Sequence, residues 1–143
     1  MKLYKLTDKD SKTQNSCLWG EGVTHEANGK GKELCSNGVI HAYIDPYLAV
    51  FHDPIGGDYL SREGVQMWEA EGKVVSRDWG KVGCKKLTTI KKAVVPQLTI
   101  EQRVEIAIRC SLLLYNEKTY VEWAEKWLGG KDRSVYAAAR AAD

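Results

Sequence analysis

The sequence predicts an α+β fold: a small, bent, mostly antiparallel sheet built by residues 1–96, with the helices of residues 97–143 packed on one face. Three observations carry this. Short β-branched and aromatic segments, punctuated by Gly, Asn, Asp and Pro, follow one another up to Pro96. Beyond Pro96 the apolar residues switch to helical spacing. The chain has 143 residues, of which 43% are apolar, with five Trp and seven Tyr, enough for the core of one domain.

Taken in order, Leu3 to Thr7 alternates and reads as a first strand, and Asp8 to Ser16 as a polar loop. Leu18 to His25 reads as a second extended piece, followed by the turn signal Asn28-Gly29-Lys30-Gly31. Val39 to Ile44 is a stronger strand, entered through Ser36-Asn37-Gly38. Alternation there places His41 and Tyr43 on one side with Val39, and Ile40, Ala42 and Ile44 on the other. Asp45-Pro46 is a helix start, with Asp at the N-cap and Pro at the first helical position, so a short helix spans about 46–52 and ends near Asp53-Pro54. Pro54 to Glu63 reads as a glycine-containing loop. Val65 to Glu71 and Val74-Val75, joined by Gly72-Lys73, suggest a hairpin, and Leu87 to Val95 a further strand closed by Pro96.

Thr99-x-x-Gln102 has the form of a capping box, with Glu101 in the first turn. The helix it opens runs to Tyr115 and is apolar on more than one side, as expected of a structural spine. A second helix spans Lys118 to Leu128 and is ended by Gly129-Gly130. Asp132 caps a last, Ala- and Arg-rich helix over 134–142, which has high propensity and little to bury.

Composition narrows the function classes. The net charge is +2 and the lysines are dispersed, without the basic stripe of a nucleic-acid binder. No stretch approaches the roughly 20 apolar residues of a membrane span, and the N-terminus lacks a signal-peptide run, so a cytoplasmic location is expected. Cys17, Cys35, Cys84 and Cys110 contain no C-x-x-C pair and are expected to be buried or half-buried free thiols. No metal or other cofactor is expected. The apolar helices are compatible with a homo-oligomer.

Residues 19–25 (Trp-Gly-Glu-Gly-Val-Thr-His), 34–43 (Leu-Cys-Ser-Asn-Gly-Val-Ile-His-Ala-Tyr) and 83–90 (Gly-Cys-Lys-Lys-Leu-Thr-Thr-Ile) resemble an uncharacterised family of phage and prophage proteins. Members often end in a long Ala/Arg-rich helical tail, and Trp123 to Arg140 resembles the start of one. The resemblance implies a viral or prophage origin in a bacterial host and carries no activity. A second likeness, from Gly38 to Ala49, is to ADP-ribosyltransferase-like folds, which bind NAD in a cleft of a split, bent sheet. It implies a catalytic glutamate at Glu69 or Glu71.

All three histidines fall between residues 25 and 52, and two stand in similar words, Gly22-Val23-Thr24-His25 and Gly38-Val39-Ile40-His41. If these segments pair, His25, His41 and Tyr43 converge, and Glu69 or Glu71 from a neighbouring strand completes a polar pocket with Trp19 as a stacking surface. Such a pocket suits a small nucleotide-type ligand. Cys35 stands near enough to His41 for a thiolate couple. Trp19 and Trp79, beside glycines, are expected to be exposed. Two functions follow. One is a non-enzymatic phage accessory protein that binds a nucleotide-type ligand or a host protein and counteracts host defence. The alternative is an NAD-using ADP-ribosyltransferase-like enzyme.

Overall fold

Two long strands carry the N-terminal part of the chain. In the computed structural model, which describes residues 1–52 and 64–134, strand β6 runs unbroken from Gln66 to Arg77 and β7 from Val82 to Ala93. They pair antiparallel along their whole length. The expected hairpin at Gly72-Lys73 is therefore not formed; the chain reverses at Asp78–Lys81. There the Asp78 carboxylate accepts from the backbone N–H groups of Gly80 (2.8 Å) and Lys81 (2.7 Å). Gly72 is a glycine for a different reason. A Cβ on it would stand 2.6 Å from the Lys86 carbonyl oxygen, so it marks a close approach within the strand pair.

Strand β1 (Lys2–Thr7) pairs with the first half of β6, from Lys2 opposite Glu71 to Thr7 opposite Gln66. The free edge of β7 takes two short strands end to end: β4 (Thr24–Glu26) opposite Lys86 to Thr88, and β5 (Ile40–Ala42) opposite Val82 to Cys84. Just past β5, Tyr43 exchanges two backbone hydrogen bonds with Tyr4 of β1 (2.7 and 2.9 Å), so the sheet curls back toward its first strand. Register shifts at Glu69/Ala70, Gly72/Val74 and Val74/Ser76 supply the bend, because a bulge kinks and twists a strand pair. The curl encloses Leu3, Trp19, Ala42, Ala70, Val82, Cys84 and Leu87. The mostly antiparallel, bent sheet of an α+β protein is as expected.

The polar segment after β1 carries a small hairpin of its own, β2 (Lys12–Thr13) with β3 (Cys17–Leu18), joined by one 3-10 turn. The piece expected to be extended from Leu18 to His25 is broken by a turn at Gly20–Val23. Buried Thr89 of β7 holds that turn, its hydroxyl donating to the carbonyl groups of Gly20 and Val23. Trp19, expected at the surface, is 3% exposed, while Trp79 at the β6–β7 turn is 77% exposed. Helix α1 (Pro46–His52) starts where read, Asp45 accepting from the N–H groups of Tyr47 (2.7 Å) and Leu48 (3.4 Å). The expected end at Asp53-Pro54 and the loop 54–63 lie outside the described residues.

The chain divides into two compact units at the segment after Pro96, residues 1–97 and 98–143. In the second, α2 (Ile100–Ser111) begins with the expected capping box: Thr99 accepts from Gln102 N–H (3.1 Å), and the Gln102 side chain accepts from Thr99 N–H (2.9 Å). It ends a turn earlier than expected, and Leu113 and Leu114 are 83% and 92% exposed. The broad apolar surface read as a spine is thus a single stripe. Ile108 packs with Ala124 and Trp127 of α3 (Lys118–Leu128), whose bounds match the sequence reading. Arg133 lies 4.6 Å over the Trp127 ring and pairs with Glu101 at 3.2 Å. The Ala/Arg-rich helix expected over 134–142 lies, but for Ser134, outside the described residues. Among the described residues no helix is long and apolar enough to cross a membrane.

Candidate functional site

Two adjoining concavities open where β1, β5 and the 14–39 loops meet. One, of about 480 Å³, is lined by Lys5, Trp19, His25, Glu26, Asn37 and His41 among others. The other, of about 620 Å³, is lined by Cys35, His41, Tyr43, His52, Lys81 and the amides of Gln14, Asn15 and Asn37. His41 borders both.

The loop that ends at His41 is cinched by glycines. A Cβ on Gly38 would lie 2.0 Å from the Gly31 carbonyl oxygen, so two backbone segments touch where no side chain fits. Lys85 ties the same loop to β7, donating to the carbonyl groups of Gly29 (2.9 Å) and Gly31 (2.7 Å). His41 Nε2 accepts from the backbone N–H of Cys35 at 2.9 Å, which places its proton on Nδ1. Burial, then the nearby Lys81 and Lys5 ammonium groups, push the His41 pKa down, so the ring is neutral at pH 7.

Helix α1 brings in His52, whose Nδ1–H donates to the Leu48 carbonyl oxygen (2.9 Å). Its ring stacks on Tyr43 (centroids 5.5 Å apart) and leans on Trp79 (5.4 Å). The β6–β7 turn brings in Lys81, whose Nζ donates to Cys35 Sγ at 3.0 Å. The Cys35–His41 thiolate couple is therefore replaced: His41 meets the Cys35 backbone, and the sulfur is met by Lys81. All four cysteines are free, with Cys35 and Cys110 exposed rather than buried.

Of the six residues picked from sequence, Trp19, His25 and His41 line the first concavity and His41 and Tyr43 the second. Trp19 offers little face to a ligand: it is core, its Nε1 donates to Thr13 (3.0 Å), and His25 packs edge-on against it at 4.6 Å. The His25 Nε2–H donates to the Leu18 carbonyl oxygen (2.7 Å). Glu69 and Glu71 line neither concavity. Glu69 pairs with Lys2 (2.6 Å) and more distantly with Lys91 (3.9 Å), and Lys2 holds its pKa down. The expected acidic lining is thus a correction: inward-facing Ala70, between the two glutamates, belongs to the core, and alternation turns its neighbours away.

The sequence reading missed Lys5, His52 and Lys81. Lys5 was findable, because Leu3 and Leu6 stand at opposite parity and imply that both faces of β1 are covered. Lys5 Nζ donates to the His41 carbonyl oxygen (2.8 Å) and lies 5.1 Å from the Trp19 ring centre. Burial lowers its pKa from 10.5 to about 8. Lys81 and His52 carry no local signal, since only the β6–β7 turn and α1 bring them to Tyr43. Among the described residues no cluster of His, Cys, Asp and Glu is arranged to hold a metal ion. No protein-family profile, curated protein or solved structure matches this chain.

Proposed function

We propose that the protein is a phage-encoded accessory protein that binds a small, anionic, nucleotide-type ligand without turning it over. The reading rests on one observation: the 620 Å³ concavity is lined by Lys81, His41 and His52 together with three amide side chains, and among the described residues no carboxylate lines it. Its size falls within the roughly 300–1,000 Å³ of small-molecule sites. Lys81 supplies fixed positive charge, neutral His41 a donor at Nδ1, and the Gln14, Asn15 and Asn37 amides supply paired donors and acceptors. Trp79, exposed beside His52, supplies a face for a base. The phage origin rests on the family resemblance, and sequestering a nucleotide signal or a host protein is how such a binder would counteract host defence.

A thermal-shift screen of nucleotides against the purified protein tests this. A ligand at a hundred times its Kd stabilises the fold by about 2.7 kcal/mol. The shift should shrink with His41→Ala, Tyr43→Phe or Lys81→Met. A hit indifferent to all three, or no hit at all, removes the reading. An ADP-ribose adduct on proteins of a bacterial lysate incubated with NAD would replace it by the transferase alternative.

A further inference from the structure

Lys5 differs from the lysines that pair with acids at the surface. Lys2, Lys9, Lys91 and Lys118 each reach a carboxylate across exposed surface. Among the described residues no carboxylate pairs with Lys5. Among these residues its Nζ donates to the His41 carbonyl oxygen at 2.8 Å and lies 5.1 Å from the Trp19 ring centre, with the Cys17 and Cys84 thiols within electrostatic reach. It also lines the 480 Å³ concavity, so the amine is desolvated by its neighbours yet open to a small molecule. A lysine so placed is the setting in which enzymes and binders make the amine nucleophilic.

We propose that Lys5 is a reactive amine that forms an imine with a small carbonyl compound, an aldehyde or a 2-oxo acid, admitted to the concavity between β1, β4 and β5. The nitrogen lone pair adds to the carbonyl carbon, and the oxygen takes up the proton that the nitrogen gives up. The resulting carbinolamine breaks its C–O bond and releases one water as C=N forms. No oxidant or reductant is needed. This site is adjacent to the nucleotide-type site and does not depend on it.

Propionaldehyde and pyruvate, each with cyanoborohydride to trap the imine, test the proposal on the full-length protein by peptide mapping. With its pKa at about 8, Lys5 holds at pH 7.5 roughly two hundred times the free-base fraction of an ordinary lysine. Its restricted access reduces that advantage, and labelling at least about tenfold faster than at Lys2, Lys9 or Lys118 is expected. The Lys5 rate should rise with pH and level off above pH 8 to 9, while the surface sites keep rising. Lys5→Met should lose the fast adduct alone. Preference for one probe assigns the carbonyl class. Labelling of Lys5 no faster than of the exposed lysines, by both probes, overturns the proposal, and this wild-type comparison decides it however the variant behaves.

Discussion

Replacing Lys5 by Met should stabilise the protein at neutral pH, and the gain should vanish as the pH rises. In the folded protein burial lowers the Lys5 pKa to about 8; in the unfolded chain it returns to the ordinary 10.5. Below pH 8 both states carry the proton, and the folded state bears the whole cost of holding an ammonium away from water. Between 8 and 10.5 the folded state has released the proton while the unfolded chain still binds it. Stability attributable to Lys5 therefore rises with pH across that window. At about 1.4 kcal/mol per pH unit, the cost is about 3.3 kcal/mol at pH 7 and about 0.8 kcal/mol at pH 10. Lys5→Met removes it but leaves the His41 carbonyl oxygen without its donor, a loss of about 1–2 kcal/mol at every pH. The variant should be about 1–2 kcal/mol more stable than wild type at pH 7, and equal or slightly less stable at pH 10. Urea unfolding of both proteins at several pH values measures this, and the difference between them cancels the titrating groups that do not feel Lys5. A wild-type-minus-variant difference that stays flat from pH 7 to 10 would refute a desolvated Lys5.

Gly72→Ala should destabilise the sheet by about 1–3 kcal/mol, because its Cβ meets the Lys86 backbone oxygen at 2.6 Å and neither strand can move freely. A melting temperature equal to wild type would show that the two strands are not so close. Thr99→Ala should cost about 1 kcal/mol, read as faster amide exchange in the first turn of α2, since it removes the acceptor for Gln102 N–H. Unchanged exchange there would mean that the capping box is not formed.

How much of this was legible depended on whether the signal was local. The Asp45-Pro46 start of α1, the Thr99/Gln102 box and the bounds of α3 are decided by residues within one turn of each other, and the sequence showed them. The hairpin was misread because Gly72 looks the same whether it makes a turn or admits a neighbouring backbone. Only the pairing of β6 with β7 distinguishes the two. The Asp78 turn uses side-chain acceptance that Asp-x-Gly suggests, a local signal that the sequence reading passed over in favour of Gly72-Lys73. At the site, alternation correctly put His41 and Tyr43 beside one concavity, while it could not say what stood opposite.

The sequence by itself determined the α+β class, the change of period after Pro96, the starts of α1 and α2 and the bounds of α3, because propensity, capping and alternation act over a few residues. Tertiary structure alone decided the lining of the site. The bulges curl the sheet until Tyr43 meets Tyr4, and that curl gathers Lys5, His52 and Lys81 around His41 while leaving Glu69 with Lys2 outside. These residues lie up to about 75 positions apart in the chain, and only closure of the strand pairs makes them neighbours.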